Sequence, residues 1–166
     1  SESIITAMEP DHLDIYGTPE AMFAAYTEFA IICDGPLLVH ERIASHFKDR
    51  GNMVPYALDS KGEPRAENVR VVDGAYNFDL VAEGRTLRDL RLGMPGRHNV
   101  ENAIAACTVA LRLGVSDELL RQGLASFRGV ARRFETRIRG NNIVFIDDYA
   151  HHPKELDACI GSVREL

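Results

Sequence analysis

Tryptophan is absent from the 166 residues, and the three cysteines are widely separated, with no CxxC spacing. This pattern argues against a structural zinc site or a dithiol centre and favours free thiols that pack as small hydrophobic groups. No stretch approaches the roughly 18 consecutive apolar residues of a membrane-spanning helix, and the first residues resemble no signal peptide. The net charge of −6 disfavours nucleic acid or an anionic membrane as a partner. We therefore expect a cytoplasmic protein with no nucleic-acid or membrane partner.

Several motifs of self-sufficient enzymes are also absent. The sequence contains no GxxxxGK[ST] phosphate-binding loop, no GxGxxG fingerprint, no GxSxG elbow and no HExxH zinc motif. Each of these motifs supplies groups that its chemistry requires. These 166 residues therefore contain no recognisable phosphate cradle and no recognisable nucleophile.

What is present is typical of a globular protein, with 45% apolar and 27% charged residues. Thr18-Pro19 is predicted to begin a helix, because threonine caps helices and proline suits the first helical turn. Apolar residues at helical spacing follow. The apolar run GPLLVH predicts a buried strand, and ERIASHFKDR after it predicts a second helix. Alternation punctuated by glycines, from Asn52 to Met94, predicts several antiparallel strands.

The strongest helical pattern lies at 98–114, and Ser116 caps another helix that ends near Gly129. Beyond it, FETRIRG and NNIVFIDD predict two strands joined by a Gly-Asn-Asn turn, and Pro153 opens a last helix. A strand, a polar loop and a helix make the first unit of an alternating α/β layer. We therefore predict an α/β protein with a domain boundary near Gly129–Arg133.

Four polar clusters carry the candidate chemistry. The first, DHLD, contains His12, whose neutral imidazole could bind a metal while the flanking acids hold its orientation. The alternative is a solvated turn with helix-capping acids. In the second cluster, Asn99 and Asn102 lie three apart at a helix start and share one face. Two amides there suit a purine edge, and plain helix capping is the alternative.

The third cluster is Arg132-Arg133-Phe134, at the predicted boundary. An arginine there could fork onto phosphate or ribose oxygens, or it could be an ordinary exposed charge. The fourth cluster, DDYAHHP, starts with Asp147-Asp148 at a strand end and closes with His151-His152 before a helix N-terminus, which favours anions. Because no further Cys/His cluster completes a zinc site in the sequence, a loop facing ribose or substrate is the favoured interpretation.

In this order and at these separations, the four clusters resemble the Mur ligase family. DHLDIYGT, MPGRHNVENAIAA, FRGVARRFE and IDDYAHHP are most similar to the alanine-adding branch, and the likeness spans nearly the whole chain. It implies that residues 1–130 are part of a central ATPase domain, a mixed sheet with flanking helices. Residues 131–166 would then begin a Rossmann-like C-terminal domain as a β-β-α unit.

The resemblance also implies an activity: an ATP- and Mg²⁺-dependent, amide-forming ligase of peptidoglycan synthesis. In that reaction the carboxyl group of UDP-N-acetylmuramate is activated as an acyl phosphate, which the amine of L-alanine attacks.

Matching the motifs position by position implies roles for single residues. It implies that His12 binds a metal ion and that four residues contact the nucleotide: Asn99, Asn102, Arg133 and Asp148. Within that set Asn102 is the better candidate for adenine, and Asp148, ahead of Asp147, is the candidate for ribose. Three more residues would face the nucleotide and the incoming amino acid: Tyr149, His151 and His152.

The sequence departs from the family in one respect. The P-loop lysine and threonine and the magnesium-binding glutamate of these ligases precede DHLD and do not occur here, so we expect the isolated chain neither to hydrolyse ATP nor to join alanine. Thr27 stands roughly where sister ligases carry a modified lysine, in keeping with the alanine-adding branch. Two alternatives stay open: a recycling ligase that attaches a whole peptide to UDP-N-acetylmuramate, and a non-catalytic nucleotide-binding or interaction module.

Overall fold

A parallel sheet opens the fold, in a computed structural model that describes residues 1–10 and 13–164. Its strands lie in the order β1 (Ser3–Ile5), β2 (Leu37–His40) and β3 (Met53–Tyr56). Every residue of β2 is buried, as is typical of a parallel strand covered on both faces. The carboxyl ends of the three strands share one edge of the sheet.

The connection from β1 to β2 contains α1 (Leu13–Tyr16) and α2 (Pro19–Ile32). The Thr18 hydroxyl accepts the backbone N–H of Ala21 at 3.2 Å, which confirms the predicted cap of α2. After β2, where a second helix was predicted, the chain forms a 3₁₀ helix, Glu41–Phe47. Together α2 and the 3₁₀ helix cover one face of the parallel sheet.

An antiparallel sheet follows, made of β4 (Arg65–Val72), β5 (Ala75–Ala82) and β6 (Arg85–Leu92). This part of the antiparallel prediction is confirmed. The prediction was wrong for Met53–Tyr56, which pairs in parallel with β2, because local alternation carries no information about a distant partner. The predicted α/β class, with parallel and antiparallel strands and flanking helices, is confirmed; among the residues described, the parallel and antiparallel strands lie in separate sheets.

The predicted helices α3 (Arg97–Arg112) and α4 (Asp117–Ser126) are confirmed. The main core joins α3 and α4 to residues of both sheets, and Ile104 of α3 is completely buried in it. The result is a layered α/β fold. No helix within residues 1–10 and 13–164 is long and apolar enough to cross a membrane.

The last part of the chain forms the hairpin β7 (Glu135–Arg139) and β8 (Val144–Asp147), followed by α5 (Pro153–Arg164). These three elements were predicted. However, the apolar stripe of α5 remains largely solvent-exposed, with Ile160 at 50% exposure. The hairpin forms a sheet of its own.

Candidate functional site

The start of α3 is built around Gly96, which precedes the helix with a φ of 101°. A Cβ atom at this position would lie 2.6 Å from Cε1 of His98 and 2.8 Å from Oγ of Ser162. Only glycine is compatible with both the positive φ and this close approach. Gly96 therefore lets α5 come directly against the first turn of α3.

The two candidate asparagines of α3 differ in what they do in the structure. Asn99 is half-buried, and its side-chain amide donates a hydrogen bond to the carbonyl of Pro95 at 2.6 Å. Asn102, three residues later, has an exposed side chain. Asn99 therefore holds the turn before the helix, and Asn102 presents its amide to solvent, where both donor and acceptor can be used.

His98 connects the predicted clusters in space. Burial lowers its pKa, the negative charges of Asp148 and Glu101 act in the opposite direction, and the positive charge of Arg133 lowers the pKa further. Since such charge effects weaken with distance, all three groups lie within electrostatic range of His98. The structure thus brings the second, third and fourth clusters together at the first turn of α3.

Asp148 ties the boundary segment to the loop after β8. Its Oδ2 accepts the backbone N–H of Phe134 and its Oδ1 accepts that of Ala150, each at 2.7 Å. Phe134 has a φ of 49°, and Arg132 a φ of 60°, so the boundary segment adopts an unusual backbone that these bonds support. Each carboxylate oxygen still has acceptor capacity for a further donor.

The preceding acid, Asp147, contacts a different part of the structure. Asp147 lies 3.4 Å from the Arg137 guanidinium on the opposite strand of the hairpin. The Arg133 guanidinium, about half exposed, lies 3.4 Å from the Glu155 carboxylate. Of the two acids, Asp148 is the one that bonds the boundary segment, through Phe134, and whose charge acts on His98.

The start of α5 is a capping box. The Glu155 carboxylate accepts the backbone N–H of His151 at 3.1 Å and that of His152 at 3.3 Å, while Nδ1 of His152 accepts the backbone N–H of Lys154 at 3.4 Å. These backbone N–H groups, led by that of His151, lower the pKa of Glu155. Glu155 was not among the predicted site residues, although a glutamate at the third position of a helix is the usual signal for such a box.

Tyr149 lies in a small surface stack. The Arg132 guanidinium carbon lies 4.9 Å from the centre of its ring, and the His151 ring lies 5.1 Å away in an edge-on arrangement. The backbone N–H of Tyr149 donates to the carbonyl of Arg132 at 2.8 Å. The stack therefore joins the third and fourth clusters on the exposed side of the boundary.

The first cluster is only partly described, because Asp11 and His12 lie outside the described residues. Glu9, just before them, accepts a hydrogen bond from Nζ of Lys154 at 3.0 Å. Burial acts to raise the pKa of Glu9, but Lys154, a backbone hydrogen bond of Glu9 and the charge of Arg42 together outweigh it, so the net pKa is lowered. In residues 1–10 and 13–164, no group of three or more His, Cys, Asp or Glu side chains could hold a metal ion. The magnesium role of His12 therefore stays a prediction.

A shallow cavity of about 330 Å³ at the ends of β2 and β3 was not predicted. Six residues line it: His40, Glu41, Arg42, Ala57, Asp59 and Glu101. A signal was available in the sequence, since His40 ends a buried strand and open α/β sheets bind ligands at strand carboxyl ends.

The side chains at the start of α3 suit the adenosine half of a nucleotide. An exposed amide can read a purine edge, an exposed guanidinium can reach ribose or phosphate oxygens, and a carboxylate with spare acceptor capacity can receive a ribose hydroxyl. Asn102, Arg133 and Asp148 supply these three groups.

The layered α/β fold is shared with ligases of known structure. The family profile of the Mur ligase middle domain matches residues 2–110. The chain therefore belongs to the Mur ligase family.

Individual relatives agree with that assignment. The UDP-N-acetylmuramate–L-alanine ligase of Phocaeicola vulgatus is 39% identical over 167 residues, covering 99% of this chain and 36% of the relative. The crystal structure of UDP-N-acetylmuramate-alanine ligase MurC from Thermotoga maritima is 27% identical, with a TM-score of 0.77 over 98% of this chain and 38% of that one. MurF from Acinetobacter baumannii is 25% identical, with a TM-score of 0.78 over 98% and 37%. The chain thus spans little more than a third of the length of these proteins.

Proposed function

We propose that these residues are part of an ATP-dependent ligase that joins L-alanine to UDP-N-acetylmuramate. The observation that carries the proposal is the 39% identity to a ligase of that name over 99% of the chain. The nucleotide-compatible groups at the start of α3 support it. The activity belongs to the complete gene product, since the 166 residues contain no phosphate-binding loop motif, and we propose that they are inactive alone.

Four residues would hold the nucleotide in this proposal. The exposed amide of Asn102 contacts the adenine edge, and Asn99 supports it by holding the preceding turn through Pro95. Arg133 reaches the nucleotide from the boundary segment, and Asp148 accepts a ribose hydroxyl. Bound ATP supplies the phosphoryl group that activates the muramate carboxylate, and Mg²⁺ offsets its charge.

The remaining candidates have supporting positions. We propose that Tyr149 and His151 form the exposed wall beside the nucleotide, where their rings stack with Arg132. His152 would position this wall as the cap of α5. His12 is proposed as the magnesium ligand on the strength of its motif.

We propose the division into residues 1–130, part of the central ATP-binding domain, and residues 131–166, the start of the C-terminal domain. The separate sheet of the hairpin and the positive φ angles of Arg132 and Phe134 in the connection support this division. The match of the middle-domain profile to residues 2–110 lies within the first part.

The test is ligation by the complete gene product. Purified protein with UDP-N-acetylmuramate, ATP, Mg²⁺ and L-alanine should release ADP and form an amide product whose mass is measurable, whereas the 166 residues alone should release none. Asn102→Ala should raise the KM for ATP about 5- to 10-fold, the loss of one hydrogen bond. Product with a tripeptide but not with alanine would make the protein a recycling ligase. No ADP release with any acceptor would favour a binding module.

A further inference from the structure

His40, the last residue of β2, is a buried histidine with an unusual environment. It is 3% exposed, and Nδ1 accepts the backbone N–H of Arg42 at 3.2 Å. In the neutral ring the proton must then be on Nε2. Nε2 lies 3.1 Å from Oε1 of Glu101, a hydrogen-bonding distance, but the angle falls short of a well-formed bond.

The Glu101 carboxylate contacts two residues at the carboxyl end of β2, one through each oxygen. One carboxylate oxygen faces His40, and the other lies 3.6 Å from the Arg42 guanidinium. Burial acts to raise the pKa of Glu101, but the contacts with His40 and the charges of Arg42 and His98 together outweigh it, so the net pKa is lowered. Glu101 is therefore ionised at neutral pH and attached to the end of β2.

The His40 ring is itself held in place. It packs edge-on against Tyr56, the last residue of β3, with ring centres 5.4 Å apart. Both strand ends thus support the histidine, and through Glu101 they hold the first turns of α3. The polar contact crosses from the sheet to the helix beside an otherwise apolar core.

The contact matters because of where Glu101 lies on α3. It immediately precedes Asn102, and consecutive helix residues are separated by about 100° of rotation. A carboxylate anchored to the sheet therefore fixes the rotation of the helix turn, and with it the direction of the Asn102 amide. This polar contact adds a directional constraint to the apolar packing of α3, which is not directional in itself.

We propose that His40 and Glu101 are a positioning pair for the nucleotide: they set the direction of Asn102 and do not touch the base themselves. The inference rests on the proposed function, in which Asn102 contacts adenine. It predicts that removing the Glu101 carboxylate weakens ATP binding only through Asn102.

The test is a double-mutant cycle in the complete gene product, with ATP varied at saturating UDP-N-acetylmuramate and L-alanine. Glu101→Leu should raise the KM for ATP about 5-fold and leave kcat within about two-fold, since binding and not chemistry is affected. Glu101→Gln keeps an oxygen acceptor for Nε2 of His40 and should restore most of the loss. In the Asn102→Ala background, Glu101→Leu should add almost nothing, because coupled residues are not additive.

The controls separate positioning from folding and from the proposed function. Glu118→Leu, on the exposed face of α4, should leave the KM for ATP unchanged, and thermal unfolding of each variant reports on stability. An unchanged KM in Glu101→Leu, or an effect fully additive with Asn102→Ala, would overturn the pair. If Asn102→Ala raises the KM and Glu101→Leu does not, only this inference fails. If Asn102→Ala leaves the KM for ATP unchanged, both the adenine role of Asn102 and the positioning pair that depends on it are wrong.

Discussion

Residues 3–126, here the core region, and residues 135–164, the tail region, are stabilised in different ways. In the core region Phe78, Leu80 and Ile104 are completely buried. In the tail region Ile138 and Ile143 are 60% and 70% exposed, and directed polar contacts replace the apolar core. Asp148 bonds two backbone N–H groups. The candidate site lies where the two regions meet, so its geometry depends more on polar contacts than on core packing.

The largest expected effect tests the core side of this comparison with matched isoleucines on helices. Ile104→Ala in α3 should lower the free energy of unfolding by about 2–5 kcal/mol, because it removes buried methyl groups and leaves a cavity. Ile160→Ala in α5, where the side chain is 50% exposed, should cost less than about 1 kcal/mol. Urea unfolding of the chain measures both. Equal losses would show that the tail region has a core of its own.

A smaller effect is expected on the pH dependence of stability, through His98 where the two regions meet. Burial lowers the pKa of His98 from an ordinary value of 6.5, so the unfolded chain binds a proton more readily than the folded one. The stabilisation from neutral His98 is therefore fully present above about pH 6.5 and is lost as the pH falls below it. Thermal unfolding between pH 7 and 5 should show a shallower decline in His98→Gln than in the parent.

The same replacement at the exposed His46 is the control for the loss of a histidine. If His46→Gln flattens the pH dependence as much as His98→Gln does, the junction is not the source of the decline.

The smallest effect is expected from the contact between Lys154 and Glu9, in which the lysine side chain is 70% exposed. Exposed ion pairs contribute roughly 0–1 kcal/mol and weaken with salt. Lys154→Met should therefore lower the Tm only slightly, and only at low salt. A Glu9→Gln variant should behave alike, and the double variant should lose no more than either one. A salt-independent drop of several degrees would mean that this contact, and not Asp148, holds the tail region.

Local patterns predicted most of the elements. The cap of α2 at Thr18 and that of α4 at Ser116 are confirmed, because a hydroxyl and the N–H three residues later are close in any helix. Met53–Tyr56 was misassigned, because its partner in the sheet is remote in sequence. The segment after His40 is a 3₁₀ helix, a distinction that apolar spacing over seven residues does not resolve.

The candidate site was predicted in parts. Its residue types were visible in the four clusters, but the sequence did not indicate that His98 would lie among Asp148, Glu101 and Arg133. The contact of His40 with Glu101 was missed for the same reason: it joins a strand end to a helix from a later part of the chain. Side-chain contacts between distant segments depend on packing, which no local pattern encodes.

The absence of a side chain at Gly96 has a mechanical consequence. At this point the two regions are in close contact, since a Cβ on Gly96 would lie only 2.8 Å from Oγ of Ser162 in the tail region. An alanine here would act as a wedge and push the last helix away from the first turn of α3. Gly96 therefore sets how closely the last helix can approach the first turn of α3, and with it the distance between the groups on the two sides of this contact.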